Sequence, residues 1–235
     1  MTTMTGKTLT IDVFSDVVCP WCFIGKHRLD AALATLHGAS PETVPQVRWL
    51  PFFLNPDTPE EGEPYREFME KKFGGPERVK QMRDNISQAG RSAGVEFDFD
   101  KMAVRPNTLR VHRLIYRVQK TRDAGALKER VMVGHFQRGE NVGDIETLVK
   151  IAVECGVDFG DTREEPGSGT RAFLNSEEDA QEVRALAQRA HEMGIGGVPF
   201  FIYNQTIGMS GAHPSEDILQ AIAQAQALPP PVPPV

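Results

Sequence analysis

The chain has 235 residues, which is long enough to bury a core without disulfide cross-links and fits one large domain or two intimate ones. Hydrophobic residues make up 40% and charged residues 25%, as in an ordinary globular protein, and no apolar run is long enough to span a bilayer. There are 26 basic and 32 acidic residues, a net charge of -6, and no dense Lys/Arg cluster, which argues against a nucleic-acid partner.

The first residues, MTTMTGKT, contain no apolar segment of a secretory signal before the first predicted strand. Three cysteines are too few, and odd in number, for a secreted disulfide framework. We therefore expect a cytoplasmic protein with no membrane association.

The chain begins with a predicted β-α-β unit. Residues 8–15 alternate between apolar and polar side chains and predict a strand. A helix follows, because apolar residues recur at helical spacing until Gly38. Residues 47–54 are apolar and aromatic and predict a second strand, in which Pro51 requires an edge or a bulge.

The middle of the chain is predominantly helical by pattern, and strands return near its end. Residues 198–203 and 205–209 predict two strands joined tightly through Asn204. Since two short strands cannot make a stable sheet alone, we expect the strands at both ends of the chain to pair in one α/β sheet interrupted by a helical insertion. The predicted helices span 65–73, 77–93, 108–120, 124–137, 145–155, 176–193 and 216–227, the last capped by Ser215, and the loops span 56–64 and 161–170.

Two cysteines lie at the junction of the first strand and the first helix, in the sequence Cys19-Pro20-Trp21-Cys22. Pro20 suits the first helical position, which places Cys19 at the N-cap. Unpaired N–H groups and the helix dipole there favour the thiolate of Cys19. We expect Cys19 to be the exposed nucleophile and Cys22, one turn inside the helix, to resolve the mixed disulfide.

Other interpretations of the cysteines remain open. The pair could be half of a zinc site, although no second C-x-x-C is present and further ligands would have to come from Cys155 or histidines. Both could be core residues, and Trp21 could simply pack. Cys155 lies in the predicted last turn of a helix, where we expect a packed, unreactive thiol.

The strand running into CPWC, the long helical insertion and the segment Gly194-Ile-Gly-Gly-Val-Pro-Phe-Phe before a hairpin resemble the DsbA-like thioredoxin superfamily, in particular its FrnE subgroup. The resemblance implies a cis Val198–Pro199 bond across from Cys19 and Cys22. One departure concerns Val13, which stands where thioredoxin-like proteins often place a buried, proton-relaying acid.

The resemblance implies an α/β thioredoxin-like core in two parts, 1–60 and 175–228, with an all-helical insertion at 61–174 and a Pro-rich tail at 229–235. It also implies thiol-disulfide exchange on protein or small-molecule substrates, with no metal or cofactor beyond the redox-active Cys19–Cys22 disulfide and with glutathione as a candidate co-substrate. Two alternatives remain. One is a glutathione-dependent isomerase or transferase of the 2-hydroxychromene-2-carboxylate isomerase or kappa-class type, which uses a single hydroxyl or thiol. The other is a non-catalytic binding protein.

Overall fold

The computed structural model of the protein describes residues 7–160 and 165–229. Within these ranges the strands are β1 (Lys7–Ser15), β2 (Thr43–Pro51), β3 (Glu63–Pro64), β4 (Val104–Arg105), β5 (Phe200–Tyr203) and β6 (Ile207–Ser210). The α-helices are α1 (Pro20–Ala39), α2 (Tyr65–Phe73), α3 (Pro76–Ser92), α4 (Leu109–Gln119), α5 (Gly125–Val133), α6 (Ile145–Glu154), α7 (Ser168–Asn175), α8 (Ala180–Glu192) and α9 (Ser215–Ala227). None of these helices is long and apolar enough to cross a bilayer.

Four strands from the two ends of the chain form one mixed sheet in the order β2-β1-β5-β6. β2 runs parallel to β1, β5 runs antiparallel to β1, and β5 and β6 form a hairpin. β2 lies at the edge of the sheet and ends at Pro51, which agrees with the position predicted for that proline. The predicted pairing of strands from both ends is confirmed.

Helices cover both faces of this sheet. Phe14 on β1 packs against residues of α8 in a small second cluster. Asp12, one of the polar residues that alternate along β1, lies on the same face and is therefore buried, and its carboxylate binds Arg48 on β2, with Nη2 to Oδ2 at 2.5 Å. The opposite side chains of β1 belong to the main core, which also includes residues of α1 and α9, and they are Leu9, Ile11 and Val13.

In the described residues of the insertion, 61–160 and 165–174, the only strands form one short antiparallel bridge between β3 and β4, in which Glu63 pairs with Arg105. Its helix α4 packs against both β2 and α8, so the insertion shares the core of the sheet. The boundaries predicted for the insertion at 61 and 174 stay predictions.

The helix pattern differs from the prediction in three places. The helix predicted to reach residue 137 changes at its end into a π-helical turn, Gly134–Arg138. The helix predicted from residue 176 begins only at Ala180, because Asp179 adopts a left-handed conformation with φ of 63°. In the predicted loop 161–170, residues 161–164 lie outside the described ranges, and α7 already begins at Ser168.

Predictions for the C-terminal part agree more closely. Asn204 and Gln205, both with positive φ, join β5 to β6 as a tight turn. Ser215 is the first residue of α9, not its cap, and its hydroxyl donates to the carbonyl of Arg28 at 3.1 Å. Nearly all of the predicted Pro-rich tail, residues 230–235, lies outside the described ranges.

Candidate active site

Cys19 occupies the N-cap of α1, as the sequence predicts. Its backbone is extended, with φ of -92° and ψ of 113°, and Pro20 is the first helical residue. The carbonyl of Cys19 accepts hydrogen bonds from the N–H groups of Cys22 and Phe23, at 3.0 and 3.3 Å. The Cys19 sulfur therefore lies at the positive end of a 20-residue helix.

The loop that precedes β5 lies against this helix start. The Val198–Pro199 peptide bond is cis, as the resemblance implies. The Cys19 thiol donates to the carbonyl oxygen of Val198, with Sγ to O at 3.6 Å. An added Cβ at Gly25 of α1 would lie 3.0 Å from Cγ of Pro199, so this glycine allows the helix and the loop to approach closely. The structure thus brings together Cys19, Pro20, Trp21, Val198 and Pro199.

Cys19 is less exposed than the sequence predicts. Only 4% of its surface is accessible, and Cys22 is 2% accessible. Trp21, between the two cysteines, is the exposed residue of the CPWC motif. The expectation of an exposed Cys19 is wrong because the insertion and the Val198 loop lie over the start of α1 and enclose the thiol in a cavity.

This cavity, which we call the thiol cavity, has a volume of about 370 Å³. It is lined by Val18, Cys19, Pro20, Trp21, Leu54, Asn55, Tyr65, Phe68, Met69, Lys72, Phe73, Met82, Ile86, Phe99, Arg105, Pro106, His135, Phe136, Gly197 and Val198. Its volume is within the range of small-molecule sites.

The two thiols differ in their environments. Burial raises the pKa of Cys22 well above its ordinary value, and the hydrogen bond and charge of Cys19 raise it further. The positive charge of Lys128 and a hydrogen bond from the backbone of Asp16 oppose this rise. The Cys22 thiol is therefore harder to deprotonate than an ordinary cysteine thiol.

Lys128, on α5, is a site residue that the sequence analysis missed. It is 1% exposed, and its Nζ lies 4.9 Å from the ring centre of Trp49. Burial lowers its pKa to about 8, although the charges of Cys22 and Asp16 raise it. A sequence signal was present, since Lys128 stands three and four residues before the buried Val131 and Met132, on the apolar side of the helix.

Further buried polar groups surround Asp16. Its carboxylate accepts the N–H of Leu54 at 2.9 Å and lies 3.2 Å from Nε2 of His112. His135, in the π-helical turn, is neutral at pH 7, because burial lowers its pKa to about 4. These groups come from four different segments of the chain, so local sequence patterns could not join them.

Cys155 lies at the C-terminal cap of α6, as predicted, and is partly buried. Burial raises the pKa of its thiol. In residues 7–160 and 165–229, no group of three or more His, Cys, Asp or Glu side chains is placed to hold a metal ion.

Comparisons with known proteins test the predicted fold and the resemblance. The family model of the DSBA-like thioredoxin domain matches residues 10–223. The uncharacterized protein YwbO of Bacillus subtilis (strain 168) is 28% identical over 221 residues, which are 93% of this chain and 98% of YwbO. The solved structure of the probable DsbA oxidoreductase SCO1869 from Streptomyces coelicolor is also 28% identical, with a TM-score of 0.83 over 97% of this chain and 94% of the other.

A second solved structure, the cytosolic disulfide reductase DsbM from Pseudomonas aeruginosa with GSH, has a TM-score of 0.59 at 17% identity and covers 93% of this chain and 96% of its own. At that identity the match to DsbM shows the fold alone. Together the matches confirm the predicted thioredoxin-like α/β fold and the DsbA-like resemblance, whereas the FrnE subgroup stays a prediction.

Proposed function

The chain belongs to the DSBA-like thioredoxin domain family, and from this premise we propose that it exchanges disulfides with thiols through Cys19 and Cys22. The observation that carries the proposal is the position of the Cys19 sulfur, at the N-terminus of α1, 3.6 Å from the carbonyl of Val198 and on the wall of the thiol cavity. The helix terminus stabilises a thiolate there, and the cavity gives a substrate sulfur access to it.

Exchange on this site has two steps. The Cys19 thiolate attacks one sulfur of a substrate disulfide, and the other substrate sulfur leaves as a thiolate. The Cys22 thiolate then attacks Cys19 and releases the second substrate thiolate, so the protein is oxidised to a Cys19–Cys22 disulfide while the substrate gains two electrons and two protons. The reverse sequence oxidises a dithiol.

The charges around Cys22 support its assignment as the resolving thiol. Its high pKa keeps it protonated while Cys19 attacks, and Lys128 provides a buried positive charge that stabilises the Cys22 thiolate when the second step requires it.

Two thiols in different environments favour a dithiol mechanism over the glutathione-dependent isomerase or transferase reaction, which needs one sulfur or hydroxyl group. We propose glutathione as a thiol that reduces the Cys19–Cys22 disulfide, in keeping with the cytoplasmic location that the sequence predicts. Protein or small-molecule disulfides would be the substrates.

Reduction of insulin by dithiothreitol tests the proposal. The wild-type protein should accelerate the reaction, and Cys19→Ser should return it to the uncatalysed rate because no other thiol replaces the nucleophile. Cys155→Ser is the matched control and should keep full activity. Activity that survives in Cys19→Ser would contradict the proposal, and an isomerase activity that survives in Cys22→Ser would favour the glutathione-dependent alternative.

A further inference from the structure

The thiol cavity has an apolar wall that comes mainly from the insertion. Helices α2 and α3 and the two turns at Phe99 and Phe136 supply it. An apolar or aromatic body of small-molecule size would be removed from water here, which favours its binding. The apolar side chains of this wall are Phe68, Met69, Phe73, Met82, Ile86, Phe99 and Phe136.

The charged side chains on the wall are all cationic. Lys72 and Arg105 line the cavity, and the described residues of its lining include no Asp or Glu. His135 adds no charge at pH 7, because burial holds its pKa at about 4. The charged groups of the lining itself are therefore positive, although the whole chain carries a net charge of -6.

Arg105 has unused hydrogen-bonding capacity. It is only 8% exposed, and its guanidinium lies 3.7 Å from the ring centre of Phe68. One terminal nitrogen, Nη2, donates to Glu63, but the buried Nε has no hydrogen-bond partner in the described part of the chain. Burial lowers the pKa of Arg105, and the charge of Asp57 opposes this. A buried guanidinium with an unpaired donor is costly, and the charge of an anionic ligand beside it would offset that cost.

We propose that the thiol cavity binds small anionic disulfides and thiols with an aromatic or otherwise apolar body, the sulfur directed to Cys19 and the carboxylate to Arg105. The inference rests on the proposed function and narrows its substrate class. Lys72, whose Nζ lies 3.1 Å from Oδ1 of Asn55 and is exposed to solvent, adds positive charge at the entrance.

The reaction is the exchange described above with a defined substrate. The Cys19 thiolate forms a bond to one sulfur of the aromatic disulfide, the S–S bond of the substrate breaks, and one aromatic thiolate leaves. Attack by Cys22 on Cys19 then releases the second aromatic thiolate and leaves the protein disulfide, so a single turnover of the reduced protein needs no further reductant.

Single-turnover kinetics of the reduced protein test the inference with two probes, anionic dithiobis(nitrobenzoate) and neutral dithiodipyridine. All proteins carry Cys155→Ser, so that the coloured thiolate reports on Cys19 and Cys22. The ratio of the anionic to the neutral rate constant cancels any change in the reactivity of the Cys19 thiol, which both probes share. Arg105→Gln should lower this ratio at least about tenfold, the usual weight of a charge-assisted hydrogen bond, and Arg105→Lys should restore part of it.

Arg66→Gln is the matched control, because it removes one positive charge from an exposed position on α2 that does not line the cavity. It should leave the ratio unchanged. An unchanged ratio in Arg105→Gln would overturn the inference while leaving the proposed function intact. If the wild-type protein reacts with neither probe, the inference and the proposed function are both wrong.

Loss of Arg105 leaves Glu63 without its partner, so Arg105→Gln could unfold. The double variant Glu63→Gln/Arg105→Gln removes both charges and should show the same drop in the ratio. A measurement on the Cys155→Ser protein alone is also decisive. Nitrobenzoate should protect Cys19 from alkylation by iodoacetamide at lower concentration than neutral nitrobenzamide does, and equal protection by the two would contradict the inference.

Discussion

Replacing Lys128 by Met will stabilise the folded protein at pH 7. Burial lowers the pKa of this lysine from 10.5 to about 8, and each pKa unit corresponds to about 1.4 kcal/mol, so the buried charge costs on the order of 3 kcal/mol. Methionine fills similar volume without a charge, although it loses the attraction to the Trp49 ring. Denaturant unfolding in a Cys22→Ala background, which removes the coupled thiol, measures the difference.

The stability gained by Lys128→Met depends on pH in a defined direction. The unfolded chain keeps the Lys128 proton up to about pH 10.5, whereas the folded protein releases it near pH 8. The gain from Lys128→Met is therefore complete below about pH 8 and declines between about pH 8 and 10.5, where the wild-type lysine is already neutral in the folded state. A gain that grows over this interval would contradict the assignment.

The same substitution will slow the exchange reaction. Lys128 lowers the pKa of Cys22, so its removal raises that pKa, and each unit reduces the Cys22 thiolate about tenfold at neutral pH. Release of the second thiolate from a Cys19 mixed disulfide should slow more than the first release, because Lys128 interacts more strongly with the charge of Cys22 than with that of Cys19. Lys80→Met, an exposed lysine on α3, is the control and should alter neither step. A resolving step of wild-type speed in Lys128→Met would exclude a role for the lysine.

A larger side chain at Gly25 will disturb both stability and exchange. A Cβ there already lies 3.0 Å from Pro199 and 3.3 Å from the ring of Phe201, so Gly25→Leu must displace the Val198–Pro199 loop. Overpacking of this kind costs about 1–3 kcal/mol. Since the Val198 carbonyl contacts the Cys19 sulfur, we also expect slower exchange with substrates.

Gly38→Leu provides the comparison on the same helix. A Cβ at Gly38 meets no atom within 4 Å, so leucine there should be neutral or stabilise α1 by up to about 1 kcal/mol and leave exchange unaffected. Thermal unfolding and insulin reduction measure both effects. Equal stability of the two leucine variants would show that α1 and the loop are not closely packed at Gly25.

The sequence predicts those features of the site that depend on neighbouring residues. CPWC at a strand-to-helix junction places Cys19 at the N-cap, and the positive-φ pair Asn204–Gln205 forms the expected tight turn. The pairing of strands from both ends of the chain, which the sequence predicts, then brings Val198 close to Cys19, whereas the order of the strands is known only from the structure.

Features that depend on distant contacts were not predictable in this way. The start of α7 is fixed by Asp158, whose carboxylate accepts the N–H groups of Gly167 and Thr170, at 2.7 and 3.1 Å. A carboxylate that lies nine residues before Gly167 gives no local helix signal. The burial of Cys19 has the same origin, because the residues that cover it belong to the insertion and to the Val198 loop, far away in sequence.

The most direct test of the account is mass spectrometry of two variants, Cys19→Ser and Cys22→Ser, after incubation with oxidised glutathione. We expect Cys22→Ser to accumulate a glutathione adduct on Cys19, because attack proceeds and resolution cannot. Cys19→Ser should stay unmodified at Cys22, whose thiol is buried and has a raised pKa. Adducts that form equally fast in both variants, or faster in Cys19→Ser, would contradict the assignment of Cys19 as nucleophile and Cys22 as resolving thiol.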